Sequence, residues 1–136
     1  VNAPRLPWGS DRGSNPIQMA IIYPFVIILI LVLLQGIMWA YARNVAYSSA
    51  RAGVAAGRLY GASPGDGAAK AKRVLDDAGS SLLTDRTVST DGSTPERLRV
   101  RVDAQALSMI PGISGIHVQA TVSGPVERWT TAGAPR

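Results

Sequence analysis

Cysteine is absent from this 136-residue chain, and histidine and phenylalanine occur once each. Without cysteine there are no disulfides, no thiol nucleophile and no cysteine-bound metal. A small domain that lacks disulfides draws its stability from packing, either on its own helices or on neighbouring molecules. Charge is sparse as well. No formal charge lies between Arg12 and Arg43, and nowhere do five like charges form a block. The net charge of +5 is dispersed. Lysine and arginine lack the aromatic interleaving of a nucleic-acid surface, so no nucleic-acid partner is expected. A basic surface solvated near anionic lipid accounts for the balance.

The uncharged region is filled with hydrocarbon. Residues 19–34, MAIIYPFVIILILVLL, are apolar without interruption. With its flanks this run meets the roughly 20 residues needed to cross a bilayer, and it exceeds a typical buried core helix. A domain of this size has too little mass to surround it, so residues 14–42 are read as a transmembrane helix. A secretory signal is the competing reading. Arg5 and Arg12 form a basic leader, and Ala40-Tyr41-Ala42 has the small-x-small form of a cleavage site. Against that, the run is longer than the usual ~7–15 residues of a signal core, and Trp39 and Tyr41 suit an interfacial aromatic belt. Arginines flank the run on both sides, so the positive-inside balance does not fix its orientation. A short leader kept inside, with the larger remainder exported, is the simpler topology.

Residues 43–61, RNVAYSSARAGVAAGRLYG, hold no proline and are rich in alanine. The helix is therefore predicted to emerge into water and continue to residue 60. Pro24 removes the amide that would bond the carbonyl of Ala20, which predicts a kink or local loosening there. Ala42, Ala46, Ser49, Ala50, Gly53 and Gly57 recur at three- and four-residue spacings and share one helix face. Gly53 and Gly57 make a GxxxG pair, which permits close backbone approach. The stripe suits packing on the chain's own domain and helix assembly between subunits alike.

Residues 61–67, GASPGDG, read as a turn, and Ala68–Leu83 as a second helix, apolar at Ala71, Val74, Leu75, Ala78 and Leu82. From there the period falls to two. Leu98, Val100, Val102, Ala104 and Ala106 alternate with Arg97, Arg99, Arg101, Asp103 and Gln105, the pattern of a half-buried strand. Thr87–Thr90, joined to it through Asp91-Gly92-Ser93-Thr94-Pro95, predicts a hairpin. Ile116, Val118, Ala120 and Val122 alternate as a third strand after the Pro-Gly corner of MIPGISG. The expected fold class is α+β. A long N-terminal transmembrane helix extends into a small domain with a second helix and a three-stranded antiparallel sheet, whose apolar face the emergent helix covers.

Catalytic chemistry is not expected. His117 alternates away from the apolar positions of the third strand and has no partner for ligation or base catalysis. Asp76 and Asp77 are adjacent, so on a helix they diverge by roughly 100° and share neither a proton nor a metal. Gly65-Asp66-Gly67 lacks the lysine and the spacing of a phosphate loop. Arg97, Arg99 and Arg101 suit a solvated strand face that discourages aggregation better than an anion site. No metal and no cofactor are expected.

The segment RGSNPIQMAIIYPFVIILILVLLQGIMWAYARNVAYSSARAGV resembles the N-terminus of TadE-like proteins, the pseudopilins or minor pilins of tight-adherence (Flp-type) pilus systems. Members typically carry a basic residue, a glycine, a small residue, a glutamate five residues past the glycine, and an apolar run containing proline. Arg12, Gly13, Ser14, Ala20 and Pro24 fall into that pattern. MIPGISGIHVQATVSGPVERW resembles the Pro-Gly corner, final strand and Gly-Pro-Val-Glu-Arg-aromatic end of actinobacterial members. The resemblance spans about residues 11–130. It implies a type IV pilin-like fold, a leader over residues 1–13, and cleavage between Gly13 and Ser14 by a prepilin-type peptidase.

Residues 43–136 then form the extracytoplasmic domain, including the emergent helix. The membrane and other pilins or pseudopilins of a tight-adherence system are the implied partners, with Gln18, Pro24, Gly53 and Gly57 as candidate helix-assembly positions. In such families the glutamate of the mature helix neutralises a neighbouring subunit's terminal amine. Gln18 stands in its place, able to accept a hydrogen bond but without charge, so the ion-pair energy is missing. The implied function is that of a single-pass envelope protein in pilus assembly, export or adhesion. Two alternatives stay open: a membrane-anchored binding module with no pilus role, and a secreted domain cleaved after Ala42.

Overall fold

The apolar run and the alanine-rich stretch after it make a single helix. In the computed structural model, which describes residues 14–128, helix α1 covers Ser14–Gly57, 44 residues, or ~66 Å at 1.5 Å per residue. It runs through Pro24 as continuous helix. The two halves of α1 differ in surroundings. Over residues 16–34 only Leu31 is even half-buried. From Gln35 onward one face is covered, and Ala42, Ala46, Ser49 and Ala50 are fully buried. Ser49 satisfies its hydroxyl inside the helix, donating to the carbonyl of Val45 at 2.7 Å.

After α1 the chain turns through Gly61, whose φ of +78° lies in the left-handed region that glycine adopts without strain. Helix α2 spans Pro64–Gly79. The second helix thus begins four residues before the predicted Ala68 and stops four before Leu83. The reason is a capping box. The Asp66 amide donates to Ser63 Oγ at 3.2 Å, and the Ser63 amide donates to the Asp66 carboxylate at 2.8 Å. Pro64 takes the first helical position, where its missing N–H costs nothing. Residues 64–67, expected as part of a turn, are therefore the first turn of a helix. Ala71 and Leu75 form the buried stripe of α2, whereas Ala78 is exposed.

Three strands follow: β1 (Leu83–Ser89), β2 (Arg97–Ala106) and β3 (Ile116–Pro125). They form an antiparallel sheet in the order β1-β2-β3. The first strand is longer than the predicted Thr87–Thr90. It contains a bulge between Thr84 and Thr87, with Asp85 at φ +48°, and this irregularity hides the two-residue period from the sequence. β2 pairs with β3 without a slip from Arg97↔Pro125 to Ala106↔Ile116. Leu98, Val100, Val102, Ala104 and Ala106 are all buried, while the arginines between them face solvent. On β3, Val118 and Ala120 are buried and Val122 is half-buried, but Ile116 is exposed.

The core lies between the sheet and the two helices, and α1 is packed against α2, β2 and β3. Its closest approach is at the two glycines of the stripe. A Cβ on Gly53 would sit 2.8 Å from both the Ala71 Cβ and the Gly67 carbonyl oxygen. One on Gly57 would sit 2.5 Å from Leu98 Cδ2 and 3.0 Å from Gly67 Cα. Of the two uses open to the stripe, packing within the chain is the one observed. Gly53→Leu should accordingly destabilise the domain by about 3 kcal/mol or more through overpacking, a fall in Tm of roughly 12–24 °C for a domain of this size. Gly36 has nothing within 4 Å of its would-be Cβ, so Gly36→Leu should not lower the melting temperature, and the ~0.8 kcal/mol by which leucine outranks glycine in a helix should raise it slightly. Thermal melts of both variants in detergent check this.

Candidate functional site

The part of the molecule with unusual chemistry is the shoulder where the bare half of α1 enters the domain. Gln35 ends the apolar run and is buried. Its Oε1 accepts the Met109 amide at 3.0 Å, tying the β2–β3 connection to α1. Its Nε2 is buried with no acceptor among the described residues. Two turns on, Tyr41 donates its hydroxyl to the Ala78 carbonyl at 2.7 Å and so ties the C-terminal end of α2 to the same helix. Trp39 faces outward with the Arg43 guanidinium 5.6 Å from its ring centroid. A shallow apolar cavity of about 390 Å³ opens here, lined by Val32, Gln35, Gly36, Trp39, Ile110 and Ile116.

A groove continues from the shoulder between α1 and the edge strand β3. Its wider part, about 560 Å³, is lined by Trp39, Arg43, Tyr47, Gln119 and Thr121 among others. Farther along, Arg51 and Arg58 face Val122–Pro125 across about 310 Å³. Arg51 lies 5.6 Å from the Tyr47 ring centroid. Among the described residues none of these three arginines is ion-paired. Two arginines thus lie over aromatic faces, and a third, Arg58, lies beside the edge strand β3.

Compared with protein-family models, curated proteins and solved structures, the chain matches none. The architecture itself, a long apolar N-terminal helix packed at its far half on a small antiparallel sheet, is consistent with a type IV pilin-like fold. α1 is the one helix among the described residues long and apolar enough to cross a membrane.

The residues singled out from the sequence fall into separate places. Gly13 lies outside the described residues, and Ser14 is the first residue of α1. Gln18 and Pro24 are exposed on the bare half. Gly53 and Gly57 lie roughly 35 and 39 residues along the helix from Gln18, ~52 and ~58 Å away, and meet Gly67 inside the domain. They do not form one site with Gln18. His117 is exposed on β3. Asp76 pairs with Lys72 at 3.4 Å and with Arg86 at 3.6 Å, while Asp77 faces solvent. No cluster of metal-ligating side chains occurs among the described residues.

Two residues central to the arrangement were missed in the sequence. Gln35 lies seven residues before Ala42, on the same face as the small-residue stripe, and a polar side chain at that position is the signal. Gly67 was read as part of a turn, and its role depends on the cap that starts α2 early.

Carboxylates far from the shoulder are held ionised. The Ser63 amide, and then its hydroxyl, bonded to Asp66 lower that carboxyl below its usual range. The Arg128 guanidinium 2.8 Å from Glu96 does the same there. Both groups are depressed in the folded chain, so their support is present above the ordinary carboxylate range and lost as pH falls through the folded values. At the shoulder, Gln35→Leu should leave the Met109 amide without its acceptor. Exchange of that amide should accelerate roughly five- to tenfold, the counterpart of the ~1 kcal/mol that a net hydrogen bond contributes. Hydrogen–deuterium exchange of the detergent-solubilised chain measures it, with the amides of β2 as the unchanged reference.

Proposed function

We propose that this chain is a pilin-like subunit of the cell envelope, of the TadE-like class, anchored by α1 and serving tight-adherence pilus assembly, export or adhesion in a structural rather than catalytic role. One observation carries the reading. A single helix is bare and apolar over residues 16–34 and becomes an integral wall of the domain from Gln35 onward. A helix built this way presents its first half to lipid or to the helices of other subunits, and its second half fixes the domain's position relative to them. A leader ending at Gly13 is what the resemblance of Arg12-Gly13-Ser14 to the family pattern implies.

The alternatives fit less well. Ala42 is fully buried in the middle of α1, so a chain cut after it loses the Gln35–Met109 and Tyr41–Ala78 ties. A binding module without a pilus role would keep its leader intact, so the two readings part at the native N-terminus. Gln18 departs from the acidic residue of the family pattern and leaves a neighbour's terminal amine without an ion-pair partner, which suits an accessory subunit better than a repeating one.

Mass spectrometry of the protein purified from its native membrane tests the proposal. The expected N-terminus is Ser14, and Gly13→Trp should abolish its appearance while the chain still reaches the membrane. A peptide crossing Gly13–Ser14 intact in native material would favour the anchored module. One beginning at Arg43 would favour the secreted domain.

A further inference from the structure

The β2–β3 connection, residues 107–115, carries an unusual load of exposed hydrocarbon for a loop. Leu107, Met109, Ile113 and the first strand residue Ile116 are 39%, 42%, 57% and 41% exposed. Between Asp103 and Glu127 the chain has no formal charge at all. We propose that this loop beds into the membrane surface at the level where α1 leaves the bilayer, so that the domain is seated on lipid and not merely tethered above it. The proposal rests on the reading of α1 as a membrane anchor.

Position is the first argument. The Gln35–Met109 bond and the cavity wall formed by Val32, Ile110 and Ile116 place the loop beside the end of the apolar run. Val32 is itself inside that run. Counting from Ile17, the roughly 20 residues that span the hydrocarbon end near Gly36. Ile110, which lines the same cavity as Val32 and Gly36, therefore shares a layer with the lipid boundary. Trp39 and Tyr41, just beyond it, occupy the level of an interfacial aromatic belt. Arg43 follows one turn later, at the level of anionic headgroups.

The second argument concerns the backbone. Irregular chain enters a low-dielectric layer only when its polar groups find partners within the protein. Here the Leu107 amide donates to the Leu82 carbonyl, Met109 to Gln35, Ile110 to Ser108 Oγ, and Ile113 to the Ile110 carbonyl. Pro111 has no N–H to satisfy. The Gly115 carbonyl accepts from Gln105 Nε2 at 2.7 Å. Exposed hydrocarbon, with four of the loop's eight amides bonded within the protein, suits a segment resting in the lipid interface. A second copy of the chain is the other occupant that an apolar shoulder admits, but nothing in the loop is charged or shaped to set a register between copies.

The absence of native cysteine makes single-cysteine labelling unambiguous. The full chain, reconstituted in phosphatidylcholine vesicles, is labelled with an environment-sensitive fluorophore at Ile113→Cys or Met109→Cys in the loop. Asp91→Cys labels the opposite end of the sheet, and Leu29→Cys the span. The loop labels should show blue-shifted emission, quenching by lipids carrying a nitroxide near the headgroup, and no change on dilution with excess lipid. The Asp91→Cys label should report water and escape quenching.

Loop labels that report water, or that escape quenching while Leu29→Cys is quenched by nitroxides deep in the tails, overturn the proposal and leave the anchor reading standing. Loop labels that are blue-shifted but unquenched, and that revert on lipid dilution, assign the surface to a second copy and overturn it too. A Leu29→Cys label that no lipid nitroxide quenches defeats the anchor reading itself. The side chains at positions 113 and 109 are exposed, so the substitutions leave the core intact, and the melting temperature of each labelled chain verifies it.

Discussion

The structure depends on how closely α1 lies on the rest of the domain at Gly53 and Gly57. The space for a side chain at either position is already taken, by Ala71 and the Gly67 carbonyl in one case and by Leu98 in the other. Around these points the covered face of α1 is made of Ala42, Ala46, Ser49 and Ala50, with Val45 and Val54 as its larger members. Close packing of small groups multiplies weak dispersion contacts, and in a domain without disulfides that density substitutes for bulk. It also leaves little freedom for the helix to slide or rotate, since any shift drives a backbone into a side chain.

The same helix supplies both the bare apolar run and one wall of the core. The bare half shows apolar residues on every side, as expected where the surroundings are uniformly apolar. The covered half is asymmetric, with its inner face apolar and small and its outer face carrying Arg58 and, beside aromatic rings, Arg43 and Arg51. The transition between them is marked by Gln35, a buried amide half satisfied by Met109. A polar side chain there is tolerable because its oxygen accepts the Met109 amide, which would otherwise be unpaired beside an apolar surface.

Charge is unevenly distributed. The segment from the end of β2 through the loop into β3 has none, although Asp85 and Arg86 on β1 lie at the same end of the sheet, and the opposite end carries Glu96, Arg97, Glu127 and Arg128. There the β1–β2 connection is fixed by Ser93, whose hydroxyl donates to the Thr90 carbonyl and accepts the Arg99 amide.

Much of this was legible in the chain itself. Sixteen apolar residues in a row define the bare half of α1, and the strict alternation over 97–106 defines the central strand and its buried face, because a two-residue period admits only one way of facing a core. Local signals that lie outside periodicity were harder to read. The early start of α2 depends on a reciprocal bond between Ser63 and Asp66, and β1 is broken by a bulge at Asp85. What the sequence left open was which surface would meet the small-residue stripe, and what a lone glutamine at the end of a hydrophobic run would bond. Both were decided by tertiary structure. A stripe of alanine and glycine states only that something comes close, and an amide states only that it needs a partner. The partner is fixed by how α2 and the sheet fold back along α1, which brings Gly67 to Gly53 and Met109 to Gln35 across 14 and 74 residues of chain.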